Sequence, residues 1–158
     1  MANTQSMCTS FMGELMTATH NFGSSPTRAG ATADTFKAAL YLASATINAS
    51  TTAYSATGEV SGTNYTAGGV TVTNANAPTA TNSSSTAGVA YWTPSASITY
   101  TTVTLATAFD TVLIYNSTQS NKAVSVHTFG SQTITAGTFT LTMPTNNTST
   151  GLLRLATT

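Results

Sequence analysis

The chain has 158 residues and a mass of 16.1 kDa, with four Lys and Arg balanced by four Asp and Glu, so its formal net charge is zero. Charged residues make up 5% of it, against roughly 25% in an ordinary globular domain, and four cations cannot build the basic face that displaces counterions from nucleic acid. No run approaches the roughly 20 apolar residues of a membrane-spanning helix, and a hydrophobic content of 41% excludes disorder driven by charge.

Thr and Ser together fill about a third of the positions, and the length suits one domain with a real core. Cys8 is the single cysteine, so no intrachain disulfide is expected. The opening Met1-Ala2-Asn3-Thr4-Gln5-Ser6 lacks the basic and apolar regions of a secretory signal, which points to synthesis and folding in a cytosol. Triplets such as Asn48-Ala49-Ser50 and Asn116-Ser117-Thr118 follow from the abundance of Ser and Thr and are not read as glycosylation sites.

From Ser6 to about His20, Met7, Phe11 and Leu15 recur every four residues beside Cys8, Met12 and Met16, which predicts a short helix with a broad apolar face. So short a helix is marginal alone and must bury that face, in the core or on a partner. Asn21 to Pro26 breaks it and opens a linker to about Asp34, giving an N-terminal helix-and-linker arm over 1–34 and a β domain over 35–158.

Phe36 to Leu42 alternates, with Phe36, Ala38, Leu40 and Leu42 on one face. Further strands are predicted at Val70–Thr73, Val89–Trp92, Ile98–Leu105, Val112–Tyr115, Ala123–Phe129, Phe139–Met143 and Leu152–Leu155. In Phe139-Thr140-Leu141-Thr142-Met143 apolar residues alternate with Thr, whose branched Cβ favours extended backbone while its hydroxyl meets water. Turn signals lie at Ser61–Asn64, Ala67-Gly68-Gly69, Asn116-Ser117, Ala136-Gly137 and Pro144–Asn147, and Asn74 to Gly88 reads as a low-complexity exposed loop. About eight short strands at this spacing predict a mainly β fold, an antiparallel β-sandwich or jelly roll with a short N-terminal α-helix.

Little in the chain points to chemistry. His20 and His127 have no second His or Cys at metal-ligand spacing, and no acidic loop suits calcium. His127 reads as a strand residue in register with Ser125 and Ala123; a triad with Asp110 has no nucleophile-elbow motif behind it. Glu14, Asp34, Glu59 and Asp110 are scattered and read as solvated or turn-capping carboxylates rather than a glycosidase pair. Thr66–Gly69 lacks the Lys and helix of a phosphate loop, and its glycines read as a tight turn at positive φ. No catalytic, cofactor-binding or metal-binding residue is therefore assigned, no cofactor is expected, and Met7, Phe11, Met12, Leu15 and Met16 are the candidate docking face.

The motifs in order are Cys8-Thr9-Ser10-Phe11, His20-Asn21-Phe22, Asp34-Thr35-Phe36-Lys37-Ala38-Ala39-Leu40-Tyr41, Thr52-Ala53-Tyr54, Gly58–Gly69, Val112-Leu113-Ile114-Tyr115-Asn116, Ser120–Val124 and Phe129-Gly130. This series resembles a family of small structural virion proteins of tailed bacteriophages, over most of the chain. Relatives often carry Gly where Asn64 stands; Asn tolerates the left-handed region next best, so the turn is expected to survive. Met12 and Met16 replace charge common in the family's helix, which favours a buried helix face.

The resemblance implies a capsid decoration or cement protein on the virion surface, bound across junctions of the major capsid protein and associated with copies of itself, made in the host bacterial cytoplasm. The composition leaves no nucleic-acid or membrane partner expected, and the lack of catalytic motifs leaves no enzymatic role expected. The alternative within the same resemblance is a tail, head-fibre or adaptor protein, for which Tyr91 and Trp92, if exposed on loops, would offer carbohydrate-stacking surfaces.

Overall fold

A computed structural model describes residues 2–23, 32–74, 76–81 and 88–157; parts of the expected linker and of the expected low-complexity loop lie outside the described residues. Among the described residues, eight strands and one helix follow in the order β1 (Ser6–Met7), α1 (Thr9–Met16), β2 (Phe36–Leu42), β3 (Val70–Thr71), β4 (Thr79–Ala80), β5 (Val89–Trp92), β6 (Ile98–Asn116), β7 (Lys122–Leu141) and β8 (Leu153–Ala156). They form two antiparallel sheets, β1-β7-β6-β2-β3 and β4-β5-β8, the mainly β architecture with a short N-terminal helix that the alternation predicts.

The large sheet is buried on both faces at its centre. Phe36, Ala38 and Leu40 on one face of β2 and Ala39 and Tyr41 on the other are all fully buried, as are residues 111–116 of β6. Continuous apolar runs such as Val112-Leu113-Ile114-Tyr115 belong to strands covered on both sides. The small sheet and α1 pack on the Phe36 face, where Phe22 stacks on Phe36 at 4.4 Å and meets Trp92 at 4.8 Å and Phe11 at 5.8 Å. The N-terminal segment is thus packed into the sandwich through Phe11 and Phe22.

Three expectations are corrected. The helix does not begin at Ser6: Ser6 and Met7 pair with Val126 and Ser125, and Cys8 N–H donates to Val124 O, so the edge of β7 holds this segment extended. The helix stops at Met16, ahead of Ala18 at φ 54°. The strands expected at Ile98–Leu105 and Val112–Tyr115 are one strand, β6, and those at Ala123–Phe129 and Phe139–Met143 are one strand, β7. The Ala136-Gly137 signal marks a bulge inside β7, with Ala136 at φ 46°; the left-handed conformation serves a bulge as well as a turn. A further bulge between Ile114 and Tyr115 pairs Ile114 with Ser125 but Tyr115 with Ala123, so Ala123 leaves the face shared by Ser125 and His127.

These bulges fold the long β6–β7 ribbon back on itself. Phe129 and Phe139 are ten residues apart, about 33 Å along a straight strand, yet their rings lie 5.2 Å apart and both pack on Phe109. On the other side, the outer edge of β2 is paired at Gly58–Val60 and again at Val70–Val72, with a gap between. Two tyrosine hydroxyls fill the gap: Tyr65 accepts from Leu40 N–H at 3.0 Å, and Tyr100 donates to Ala38 O at 2.8 Å. Gly69 makes the approach possible, since at φ +70° a Cβ there would lie 1.7 Å from Ala38 O. The turn expected to tolerate Asn64 does so, with that residue at φ 60°.

Candidate functional site

The ionisable side chains fall into small clusters that tie segments together. Glu14 on α1 accepts from Lys122 Nζ at 2.6 Å and lies 2.7 Å from His20 Nε2. Asn116, fully buried, donates through Nδ2 to His20 Nδ1 at 3.0 Å and to Asp34 Oδ2 at 2.7 Å. That geometry puts the His20 proton on Nε2, facing Glu14. Asp34 also accepts from Asn21 N–H and Gln119 Nε2. The chain Lys122–Glu14–His20–Asn116–Asp34 therefore joins α1, the segment before β2 and the β6–β7 turn. Burial pushes the Glu14 carboxyl up, but its bonds to Lys122 and His20 outweigh this and hold it below the ordinary carboxylate value.

Glu59 gathers hydrogen bonds from three donors. Tyr54 and Tyr65 donate to it at 2.6 and 2.7 Å, and Gly68 N–H at 2.8 Å. Tyr54 stacks on Tyr115, whose hydroxyl donates to Gly68 O, so the carboxylate pins the Gly68-Gly69 turn. Burial first, then the bond to Glu59, raises both Tyr54 and Tyr65 above the usual phenol value. Sequence offered no signal for this cluster, because Tyr54, Tyr65 and Glu59 look like ordinary loop residues.

Among the described residues no hydrogen bond joins Asp110 to His127, so a hypothetical triad is not connected. Asp110 lies inside β6 and accepts from Asn3 Nδ2 and Thr111 Oγ1, each at 2.7 Å. His127 Nε2 lies 2.9 Å from Ser125 Oγ, a hydroxyl buried to 1% exposure, and burial lowers the His127 imidazole to about 4. Burial also raises the Cys8 thiol to about 11, away from reactive thiolate character. Among the described residues no group of three metal-ligating side chains occurs.

The candidate docking face divides. Phe11 is in the core, Met7 and Leu15 are half-buried, and Met12 and Met16 point outward, Met16 at 90% exposure. Phe11, Leu15 and Met7 line an open apolar groove of about 90 Å³, whose opposite wall is Ala90 and Trp92 of β5 and Leu153 and Leu155 of β8. Leu155 is 43% exposed. The groove lies between the N-terminal segment and the small sheet. Sequence reasoning named its helical wall and missed its β8 wall; the Leu153–Leu155 spacing, two residues on one strand face, was the available signal.

Tyr91 and Trp92 are not loop residues. They lie in β5, and the Trp92 indole is 2% exposed, with Nε1 donating to Asn74 Oδ1 and Asn76 O. A stacking platform needs an exposed face, so the expected carbohydrate surface at Trp92 is withdrawn. No known protein family, curated protein or solved structure matches the chain.

Proposed function

We propose that the protein is a structural component of a tailed-phage virion, a capsid decoration protein that binds the outer shell and stabilises contacts between major capsid protein subunits. The observation that carries the reading is the use of its polar chemistry. Glu14, Asp34, Glu59, Asp110 and Lys122 each bond within the fold, while an apolar groove stands open beside exposed Met12, Met16 and Leu155. That balance suits a protein whose task is to hold another protein, and the motif resemblance supplies the setting.

The mechanism is linkage: a partner that binds the assembled lattice and not free subunits stabilises the lattice by its binding free energy. Association between copies raises the effective concentration of each on the shell. Counting the protein in purified particles, by quantitative mass spectrometry against the major capsid protein, tests the reading. Copies on the order of the capsid lattice are expected. A handful per particle would move the protein to a tail, head-fibre or adaptor position.

A further inference from the structure

We infer that the outer edge of β8 is a strand-addition site for an extended segment of another protein, one with apolar side chains at alternate positions and an acidic residue between them. The inference stands on the edge and the groove and does not depend on the shell reading.

The pairing parity of β8 is fixed by its neighbours. Thr157 N–H donates to Gly88 O, and Ala90 faces Leu155 and Trp92 faces Leu153 across the ladder. On the other side of β5, Thr81 N–H donates to Val89 O, so Val89 and Tyr91 turn their backbone groups to β4 while Ala90 and Trp92 turn theirs to β8. Leu153 and Leu155 are therefore the residues bonded to β5, and the N–H and C=O of Arg154 and Ala156 point away from the sheet. Among the described residues nothing accepts from or donates to them. A row of such groups is a template for another extended chain.

Two further observations define what that chain must be. First, the inner face of β8 overhangs the groove: Leu155 shares the apolar lining with Phe11, Leu15 and Met7. A strand added at this edge places alternate side chains on the same face, above the opening. Those opposite Leu153 and Leu155 must be apolar to close it. Second, Arg154 between them is exposed on the outer face, its Nε bonded to Thr148 O, and among the described residues no carboxylate pairs with it. Opposite charges on directly facing positions are favourable and like charges are not. The intervening residue of the added strand should therefore be Asp or Glu. The same rule disfavours a second copy of β8 in the twofold register centred on Arg154, which would set the two Arg154 side chains opposite each other.

The probe is a blocked peptide, Thr-Thr-Leu-Asp-Val-Thr-Thr, titrated into the intact ¹⁵N-labelled protein and followed by amide hydrogen exchange and by fluorescence of Trp92, the single tryptophan. In the free protein the Arg154 and Ala156 amides should exchange much faster than those of Leu153 and Leu155. Saturation with the peptide should slow both by tenfold or more and shift the Trp92 emission. Replacing the peptide's Asp by Lys should weaken binding at least threefold, and Arg154→Glu should reverse that order of preference. Leu155→Asp and, independently, Ala156→Pro should weaken binding tenfold or more with thermal melting kept as a check on the fold. The inference is overturned if no saturable change appears at millimolar peptide, or if a peptide with Thr in place of Leu and Val binds equally. It is also overturned if the Arg154 and Ala156 amides are already protected in the free protein, whether dilution abolishes that protection (a self-paired edge) or not (an edge covered by its own chain).

Discussion

Asn116→Asp replaces an amide donor by an oxygen at a heavily bonded, fully buried polar position. Asn116 Nδ2 sits 2.7 Å from Asp34 Oδ2 and 3.0 Å from His20 Nδ1, while its Oδ1 accepts from the amides of Thr118 and Gln119, at 0% exposure. The substitution keeps the shape and the Oδ1 bonds, removes a hydrogen bond to a carboxylate, and sets a second buried carboxyl against Asp34. A hydrogen bond to a charged group contributes roughly 1.5–3 kcal/mol, and leaving a buried charge without its partner costs about 3–5 kcal/mol. A loss of about 4 kcal/mol at pH 7 is therefore expected, or about 10 °C in Tm for a chain of this length. The sign of its pH dependence follows from the pair: two adjacent carboxyls hold a proton that each alone would release, so the variant's native state binds more protons than its unfolded state near neutral pH. The deficit relative to the parent must then shrink as pH falls from 7 to 5. Urea unfolding of parent and variant at several pH values measures it. A loss under 1 kcal/mol, or one that does not change with pH, would refute the assignment of Asn116 as donor to Asp34.

Gly69→Ala should destabilise by more than about 2 kcal/mol, because its Cβ meets the Ala38 carbonyl and its φ is left-handed; Gly13→Ala, with nothing within 4 Å on α1, should instead stabilise by roughly 0.5–1 kcal/mol, and chemical denaturation distinguishes the pair. Tyr65→Phe should cost about 1–3 kcal/mol by leaving the Leu40 N–H in the β2 edge gap without its acceptor, read by the same assay and by faster exchange of the Leu40 amide. His127, held neutral by burial down to about 4, against roughly 6.5 when unfolded, contributes stability that is complete above pH 6.5 and is lost as pH falls toward 4, since the unfolded chain binds the extra proton; His127→Gln should flatten the stability profile in that window. Binding to the proposed shell partner should change little between 50 and 500 mM salt, because few charges are available to be screened; ready release by salt in a sedimentation assay would contradict an apolar interface.

What the sequence disclosed follows from range. Phe36–Leu42 and Val89–Trp92 were legible because strand alternation is a local pattern, and both appear with the bounds read from it. The β6–β7 ribbon was misdivided because Ala136-Gly137 carries the local chemistry of a turn. Whether a left-handed residue ends a strand or bulges it is decided by the partner across the ladder, here β6. The helix start was misplaced for a similar reason: Ser6 and Met7 fit the helical spacing, but β7 supplies a ladder for them. The groove was half legible. Met7, Phe11 and Leu15 form a periodic face within one segment, whereas Leu153 and Leu155 join them only through the pairing of β8 with β5. The Glu59–tyrosine cluster was not legible at all, because it assembles from loops whose contacts have no period.

A three-dimensional reconstruction of the particle decides whether the protein is a scaffold that holds neighbouring proteins on a shell. Density for this sandwich is expected to repeat over the outer capsid lattice, touching more than one major capsid protein subunit at each position. Density confined to a tail, a fibre or a single vertex, or none on the shell, would contradict it.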